Sequence, residues 1–358
     1  MTPSLSLHTF PGGSKSRVNR AGLEISSGNG SAKDFEVLDD WRSAHRAVLN
    51  TFQAILRVRA KGKPITVAQR HKRKATILDK LERLPKMALA RMDDVAGCRL
   101  IFDDLTKLAE FRSSLHSATF RHRLRNDFNK YDYIQNPKPT GYRGIHDVYE
   151  YDVNSMTGAP LKGLLIELQY RTLIQHAWAT TVEVIGFITK SQPKFERGDS
   201  RYTVAMAYAS EILARAFEST TGPFPHLKER EVVAEFRRLD KELRLLKMLR
   251  GVKATDTTIS SGGNAILIFR ENGLLEIRSF SSAPIALEQL FKLEQELNQD
   301  DIVLVRADTS QEVRLAFKNY FSDTSDFIQL VEEGCQSLVQ HAKIGRTRKS
   351  QNKGMRKH

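Results

Sequence analysis

Hydrophobic positions divide the first part of the chain into helical and extended segments. From Phe35 onward, apolar residues recur at the spacing of one helical face until the Gly and Pro at residues 62–64, which predicts a long helix. A second helix, with a strongly basic start, is predicted over residues 67–84. The short apolar run at residues 95–102 is typical of a buried strand, and Asp103 begins the next helix. This mixture of helix and strand indicates an α+β fold.

The next part of the chain predicts a hairpin followed by three helices. Residues 145–153 and 164–170 have strand patterns and are joined by a turn-rich segment, so we expect them to pair. Helices are predicted over residues 172–186, 201–220 and 226–250. Apolar residues four and three apart in the last helix form a seam for another helix, either in the same chain or in a second copy, as in a homo-oligomer.

A change of composition near residue 250 predicts a second, smaller module. Gly, Thr and Ser dominate the segment that follows, as in a linker, and the chain before residue 34 is rich in Ser, Gly, Asn and Pro, as in a disordered leader. After the linker, a hairpin with an Asn272-Gly273 turn, a helix over residues 284–297, a strand over residues 302–306 and a helix from Ser310 predict a small α+β unit. The resulting division is a leader, a main domain, a linker, a module and a basic tail, at residues 1–33, 34–250, 251–263, 264–341 and 342–358.

Composition and charge narrow the classes of function. The 358 residues include 56 Lys and Arg against 42 Asp and Glu, a net charge of +14, which favours a polyanionic partner such as a nucleotide or RNA. The two cysteines lie far apart, which excludes a disulfide framework and a Cys-based zinc site. Because we find neither an apolar signal region nor an apolar stretch of membrane-spanning length, we expect a cytoplasmic protein without membrane contact.

Basic residues that could bind phosphates cluster in the predicted second helix. Neither a GxxxxGK phosphate loop nor a GxGxxG fingerprint occurs, so P-loop and Rossmann interpretations lose their main support. Arg70 lies near the start of the basic run, and Lys72, Thr76 and Lys80 share one helical face. Such cations could hold a triphosphate where water is excluded. The alternative is an ordinary solvated basic helix.

Acidic residues occur on two predicted strands. Asp94 follows Asp93 at the start of the apolar strand, and the two-residue period of a strand places Glu167, Gln169 and Arg171 on one face of the other. Mg²⁺ prefers hard oxygen ligands and is often held by one or two carboxylates together with substrate phosphates. Asp94 and Glu167 are therefore candidate magnesium ligands, and an ordinary solvated strand face is the alternative.

The segment at residues 131–146 combines loop formers with chemically active side chains. It contains two Pro and two Gly, but also three Tyr, a Lys, an Arg and a His. A loop of this composition can stack a base on a tyrosine and contact phosphates with its cations.

Three ordered motifs resemble the synthetase domain of RelA/SpoT homologues over residues 34–250. They begin at Asp94-Val95-Ala96-Gly97, at Lys130-x-Asp132-Tyr133 and at Glu167-Leu168-Gln169-Tyr170. The resemblance implies a nucleotidyltransferase-like mixed β-sheet flanked by helices. It also implies transfer of the β,γ-pyrophosphate of ATP to the ribose 3′-hydroxyl of GDP or GTP, making (p)ppGpp.

The same resemblance implies roles for individual residues. Asp94 would bind Mg²⁺, and Glu167 would bind Mg²⁺ or deprotonate the 3′-hydroxyl. The residues expected to bind ATP are Arg70, Lys72, Thr76, Lys80 and Arg99. The residues expected to bind the acceptor are Lys138, Tyr142, which would stack on guanine, His146, Gln169 and Arg171.

Three departures from the family pattern affect these expectations. Thr76 stands where the family usually has Ser, which keeps the hydroxyl, and Thr140 replaces an Asn that is common before Gly-Tyr. The metal-binding His and His-Asp set of the hydrolase half would need a much longer helical region than residues 1–34. We therefore expect no hydrolysis of the product.

Two other functions fit the sequence. The motifs also resemble CapRel-type fused toxin–antitoxins, which pyrophosphorylate the 3′ end of tRNA in phage defence and carry a C-terminal antitoxin region. Phe317 and Tyr320 resemble the paired aromatics with which such a region plugs the ATP site, although they could equally be core positions of a helix. The third hypothesis is a non-catalytic RNA-binding protein, for which the loss of Asp94 or Glu167 would have been the signal; both are present.

Overall fold

The computed structural model describes residues 10–189, 199–251, 264–269, 275–280, 282–297, 301–306 and 324–354. Nearly all of the predicted linker, the Asn272-Gly273 turn, the helix predicted from Ser310 and the aromatics Phe317 and Tyr320 lie outside these residues.

The described residues form eight strands and ten α-helices. The strands are β1 Ile65–His71, β2 Ala96–Phe102, β3 Arg123–Leu124, β4 Ile145–Glu150, β5 Leu165–Thr172, β6 Asn264–Phe269, β7 Leu275–Phe280 and β8 Asp301–Arg306. The helices are α1 Lys15–Ser26, α2 Ala32–Ala60, α3 Lys74–Arg83, α4 Leu105–His116, α5 Leu173–Thr189, α6 Ser200–Phe217, α7 Glu229–Leu243, α8 Leu245–Gly251, α9 Ala283–Glu296 and α10 Ser325–Gly354.

All eight strands belong to one mixed sheet with the order β3-β4-β5-β2-β1-β8-β6-β7. Strands β2 and β5 are parallel, and the other neighbouring pairs are antiparallel. Helix α2 packs against β1, β2 and β5, while α5 contacts β2 and β5. The prediction of an α+β fold with a mixed sheet flanked by helices is thus confirmed, as is the antiparallel pairing of β4 with β5.

The prediction of one helix over residues 67–84 is wrong. Residues 65–71 form β1, which pairs with β2 along its full length, and helix α3 begins only at Lys74. The β-branched residues Ile65, Thr66 and Val67 favour an extended backbone, and a strand next to β2 satisfies their backbone hydrogen-bonding groups. The hydrogen-bonded pairing of β1 with β2 therefore stabilises a strand here, although the spacing of the basic residues is that of a helix.

The prediction of a disordered leader is wrong for residues 15–26, which form α1. The Ser14 side chain accepts a hydrogen bond from the Arg17 amide at 3.1 Å and caps the helix. Val18 and Ala21 are buried in the main core. Residues 1–9 lie outside the described residues. Two apolar positions one turn apart are enough to anchor this short helix, although its composition is that of a loop.

Strands β6, β7 and β8 and helix α9 occur as predicted, and they enclose a small core of their own that includes Ile266, Leu290 and Leu304. The antiparallel pairing of β6 with β7, helix α9 and strand β8 are all present. Strand β8 pairs with β1 through Gln69 opposite Arg306 and Arg70 opposite Val305, so these strands extend the main sheet. A pattern of alternating residues identifies a strand but not its neighbour in the sheet, so the sequence does not predict this pairing.

The apolar seam of residues 226–250 finds its partners within the same chain. Arg244 has a positive φ of 52° and divides the predicted helix into α7 and α8. Val232, Phe236 and Leu239 belong to a buried cluster with residues of α5, α6 and α10. The backbone of α10 remains helical to Gly354, into the segment predicted to be a solvated tail. Within the described residues, no helix has the length and apolarity needed to cross a bilayer.

Candidate active site

The polar face of β5 forms the floor of the candidate site. Ile166, Leu168 and Tyr170 are buried in the main core, as the two-residue period predicts, so Glu167 and Gln169 lie on the other face. Across the sheet, Glu167 is in register with Gly97 of β2, which in turn is opposite Arg70 of β1. Gly97 has no side chain, and the space between the acid and the arginine therefore stays open.

On one side of Glu167 lies a cavity of about 240 Å³, which we call the basic cavity. All five residues predicted to bind ATP line it, and so do Arg83, Leu84 and Cys98. Its cations come from β1, β2, α3 and, for Lys72, the short connection between β1 and α3. These segments are adjacent in the sheet or directly connected in the chain. The structure thus brings the predicted ATP-binding residues to one place.

On the other side lies a cavity of about 210 Å³, which we call the aromatic cavity. All five residues predicted to bind the acceptor line it, and so does Thr140. Helices α5 and α6 supply the remaining wall, with Trp178, Ala179, Val182, Glu183, Thr203 and Met206. Asp94, Glu167 and Gln169 line both cavities, so the two predicted catalytic acids stand where the cavities meet.

Asp94 is held by two lysines of the basic cavity. Its carboxylate accepts from Lys72 Nζ at 2.5 Å and from Lys80 Nζ at 3.0 Å. Burial alone would raise the pKa of Asp94, but the two ammonium groups lower it below its ordinary value. Burial lowers the pKa of Lys72 to about 8, although Asp94 opposes this. Burial also acts to lower the pKa of Lys80, but attraction by Asp94 and Asp93 outweighs it and the pKa is raised.

Asp93 differs from its neighbour. Burial and the nearby charge of Glu167 raise the pKa of Asp93, even though Lys80 Nζ lies 3.6 Å from its carboxylate. A buried site holding several carboxylates favours protonation of the one with the weakest cationic support. Asp94, with two close lysines, is therefore the better candidate for a carboxylate that stays ionised.

Glu167 begins a hydrogen-bonded chain into the aromatic cavity. Its carboxylate lies 2.7 Å from His146 Nδ1 and accepts from Gln169 Nε2 at 2.6 Å. His146 Nε2 lies 2.5 Å from the Tyr142 hydroxyl, which also accepts from Arg171 at 3.2 Å. Each polar group in this chain is thereby oriented by its neighbour.

The pKa shifts of Glu167, His146 and Tyr142 all favour the charged form of the side chain. Burial acts to raise the pKa of Glu167, but His146 and Gln169 outweigh it and hold the pKa well below its ordinary value. Burial acts to lower the pKa of His146, yet Tyr142 and Glu167 raise it to about 9. For Tyr142, burial is outweighed by Arg171 and His146, and the pKa falls to about 7. Glu167 is therefore ionised at neutral pH, which favours the binding of a cation.

The loop at residues 131–146 is held in shape by short-range hydrogen bonds. The Asp132 carboxylate accepts from the amides of Ile134 and Gln135, each at 3.0 Å. Gly141 has a φ of 93°, and a Cβ at this position would lie 2.8 Å from Ala207 of α6, so no other residue fits without displacement. Ser210 of α6 donates to the Gly141 carbonyl at 2.6 Å. The loop is thus anchored to α6 directly beside the aromatic cavity.

Aromatic and cationic side chains of the same loop lie close together. Lys138 Nζ lies 4.3 Å from the ring centre of Tyr133 and 5.3 Å from that of Tyr142. Tyr142 also makes an edge contact with Trp178 of α5. The combination of a cation with aromatic rings suits a ligand that has both an aromatic base and phosphates.

The donor set at the junction of the cavities fits Mg²⁺. Among the described residues, no cluster of three or more His, Cys, Asp or Glu side chains could hold a metal by itself. Mg²⁺ does not require one, because it is usually bound by one or two carboxylates with phosphate oxygens and waters. Asp94 and Glu167 provide two ionised carboxylates on the wall that both cavities share.

Sequence reasoning missed the part of the site that comes from helices. Trp178 and Val182 of α5 and Met206 of α6 line the aromatic cavity, yet in the sequence each occupies an apolar helix position that is typical of a core residue. The only usable signal is that Trp178 lies six residues after Thr172, on the helix that directly follows the site strand. Arg83 was missed for a similar reason, because its contribution depends on the turn of α3 that faces the cavity.

Residues 69–185 match the family model described as "Region found in RelA / SpoT proteins". The chain is 33% identical over 119 residues to the GTP pyrophosphokinase YjbM of Bacillus subtilis (strain 168). This match covers 32% of the chain and 52% of the relative, so the chain spans about half the length of that curated protein.

Two solved structures are also similar. The small alarmone synthetase 1 of Bacillus subtilis bound to its product pppGpp is 19% identical, with a TM-score of 0.37 over 58% of this chain and 95% of that chain. A GTP pyrophosphokinase family protein from Streptococcus pneumoniae is 22% identical, with a TM-score of 0.39 over 57% of this chain and 90% of that chain. Every residue predicted for catalysis, ATP binding or acceptor binding falls within residues 69–185.

Proposed function

We propose, from the match of residues 69–185 to a region found in RelA / SpoT proteins, that the protein is an ATP-dependent pyrophosphokinase. It transfers the β,γ-pyrophosphate of ATP to the ribose 3′-hydroxyl of GDP or GTP and so makes (p)ppGpp. One observation carries the proposal: the basic cavity and the aromatic cavity meet at Asp94 and Glu167, which line both. Two substrates bound on either side of these acids would place their reacting groups next to each other.

The basic cavity is suited to the triphosphate of ATP. Five of the side chains that line it are cations, Arg70, Lys72, Lys80, Arg83 and Arg99, whereas Asp94 and Glu167 are its two acids. This excess of positive charge compensates a triphosphate, and a planar guanidinium can in addition stack on a base.

The aromatic cavity is suited to a nucleoside acceptor. Tyr142 and Trp178 offer ring surfaces for a purine, and Lys138 and Arg171 offer cations for its phosphates. The His146 contact with Glu167 would hold the carboxylate towards the 3′-hydroxyl of an acceptor seated there.

The proposed reaction forms one bond and breaks one. The 3′-oxygen of the acceptor attacks the β-phosphorus of ATP, the bond from this phosphorus to the α–β bridging oxygen breaks, and AMP leaves. Glu167, which the His146 contact orients at the junction of the two cavities, accepts the proton of the 3′-hydroxyl. Asp94 and Glu167 would hold Mg²⁺, which would supply charge compensation for the phosphates.

The direct test is transfer of label from γ-labelled ATP in the presence of Mg²⁺, with GDP, GTP and deacylated tRNA offered separately. We expect labelling of GDP and GTP, and we expect Glu167→Gln to reduce the rate by about 10²- to 10⁴-fold because the amide cannot accept the proton. Glu110→Gln, on the exposed face of α4, is the matched control and should keep full activity. Wild-type protein that labels none of the three acceptors would contradict the proposal.

The second candidate acceptor is the 3′-terminal adenosine of tRNA, as in the CapRel-type toxins. The net charge of +14 favours it, because RNA is a larger polyanion than a nucleotide. Label that appears on tRNA and not on GDP or GTP would select this acceptor. A non-catalytic RNA-binding protein would bind tRNA but transfer no label to any acceptor.

The antitoxin interpretation of the C-terminal region needs its own test. No described residue after Gly251 lines either cavity, while Phe317 and Tyr320 lie outside the described residues. If these aromatics plug the ATP site, the full chain with Phe317→Ala and Tyr320→Ala should transfer pyrophosphate faster than the wild type. Equal rates would count against an antitoxin role.

A further inference from the structure

A buried ion pair joins helix α9, in the C-terminal part of the chain, to the first long helix, α2. The Arg42 side chain is completely buried, and its two terminal nitrogens donate to the Glu294 carboxylate at 2.6 and 2.9 Å. Two parallel hydrogen bonds of this kind give a specific geometry as well as attraction. Removing one partner of a buried pair leaves an uncompensated charge, so each group depends strongly on the other.

The same arginine also holds the backbone of the basic cavity. Arg42 Nε donates to the carbonyl of Lys72 at 2.8 Å, and the Lys72 amide donates to the Val95 carbonyl at 2.9 Å. The peptide groups on both sides of Lys72 are thus fixed, and its ammonium group is directed at Asp94. Next to it, a ring nitrogen of His71 lies 2.7 Å from the Arg42 carbonyl.

Glu294 additionally contacts the start of helix α3. Its carboxylate accepts from the Lys74 amide at 3.4 Å, in the first turn of a helix whose N-cap residue, Arg73, makes no side-chain cap bond. A carboxylate near a helix N-terminus is favourable because the helix dipole is positive there. Helix α3 carries Thr76 and Lys80 into the basic cavity.

Strand pairing links the same two regions a second time. Strand β8 pairs with β1 at Gln69 and Arg70, two residues before Lys72. Asn264 of β6 accepts from Arg46 of α2 at 3.0 Å, which ties the adjoining C-terminal strand to the same helix. The residues that would bind ATP are therefore supported by segments that follow them by more than 160 positions in the chain.

We propose that the C-terminal segment positions the cations of the basic cavity, and that Glu294 acts in this way through Arg42 and the first turn of α3. The proposal rests on the proposed function for the identity of the ligand, ATP. Glu294 is a positioning residue and lines neither cavity. A consequence is that deletion of residues 264–354 removes activity, whatever further role the C-terminal region has.

The test compares Glu294→Gln with Glu288→Gln in the full chain, Glu288 being exposed on the same helix. We expect Glu294→Gln to speed amide hydrogen exchange in residues 72–83 and to weaken ATP binding, measured by calorimetry, by about tenfold. Acceptor KM should change by less than about twofold, because the aromatic cavity does not depend on this contact. Glu288→Gln should match the wild type in all three measurements.

The possible results separate positioning from general stability and from the proposed function. Unchanged exchange in residues 72–83, or an equal increase throughout the chain, would overturn the inference. Local exchange and weaker ATP binding in a protein that transfers label to no acceptor would leave the positioning role intact and refute the proposed function. If Glu294→Gln does not fold, Glu294→Asp, which keeps the charge on a shorter side chain, gives the same local readout to a smaller degree.

Discussion

The basic and aromatic cavities share one wall but differ in charge and in construction. The lining of the basic cavity contains five Lys and Arg against two acids. The aromatic cavity has two such cations, Lys138 and Arg171, against the three acids Asp94, Glu167 and Glu183. Binding on the first side is thus governed by electrostatics, whereas on the second side ring surfaces and hydrogen bonds carry more of the recognition.

The supports of the two cavities also differ. The backbone of the basic cavity is bound by Arg42, and Arg42 is paired with Glu294 of the C-terminal segment. The aromatic cavity is held by α6 and by a buried ion pair of Arg143 with Glu218, whose carboxylate also accepts from Thr172 at 2.6 Å. Damage to one support should therefore affect the binding of one substrate more than that of the other.

The largest difference is expected from loss of a cation in the basic cavity. Lys80→Met removes an ammonium that binds Asp94 and would contact phosphate, and hydrogen bonds to charged groups contribute about 1.5–3 kcal/mol. We expect KM for ATP to rise by roughly 10- to 150-fold, with acceptor KM nearly constant. Steady-state kinetics with each substrate varied in turn checks this. Lys86→Met, on an exposed residue just after α3, is the control.

A smaller effect, on acceptor KM instead of ATP KM, is expected from a substitution in the aromatic cavity. Tyr142→Leu keeps an apolar side chain but removes the ring, and stacking of a base on an aromatic side chain contributes about 1–3 kcal/mol. Acceptor KM should rise by about tenfold, while ATP binding stays within about twofold of the wild type. Tyr131→Leu, in the same loop but lining neither cavity, is the control. An equal rise for both substrates would show that the cavities are not separate.

A modest effect is expected from the Thr76 hydroxyl, which lines the basic cavity. Thr76→Val keeps the shape of the side chain and removes one hydrogen-bonding group, which typically contributes about 0.5–1.5 kcal/mol. We expect KM for ATP to rise by about 2- to 12-fold and Thr76→Ser to behave as wild type. A Ser variant as weak as Val would mean that the methyl group, and not the hydroxyl, matters.

The smallest signal is the ionisation of one tyrosine in the aromatic cavity. With the pKa of Tyr142 lowered to about 7, its stabilising contribution grows as the pH rises from there toward the ordinary value of 10. His146, with its pKa raised to about 9 from 6.5, loses its contribution as the pH rises through that range.

These opposite contributions offset each other between about pH 7 and 9, so thermal stability would hide them. Tyrosinate absorbance in the near ultraviolet is the suitable measurement. We expect one of the nine tyrosines to ionise near neutral pH, and we expect Tyr142→Phe to abolish this step. A wild type without it would show that Arg171 and His146 do not stabilise a phenolate.

Much of the site could be found from the sequence because its residues lie on local patterns. The period of β5 alone places Glu167 with Gln169, while the position of Asp94 before an apolar strand and the composition of the 131–146 loop single out these parts of the site. The helical grouping of the basic residues was wrong for β1, yet Arg70 and Lys72 still reach the basic cavity. A strand end and the helix that follows it can deliver cations to the same place.

Local patterns in the sequence predict most of the strands and helices, and they identify most of the charged and aromatic residues of the site. The folded structure shows in addition that the C-terminal strands join the main sheet beside β1, that Trp178 and Met206 line the aromatic cavity, and that Arg42, paired with Glu294, binds the carbonyl of Lys72. Alternation and helical spacing depend on neighbours within a few residues. The choice of a sheet partner or of a buried counter-charge depends instead on which distant surfaces can pack together and satisfy each other's hydrogen bonds.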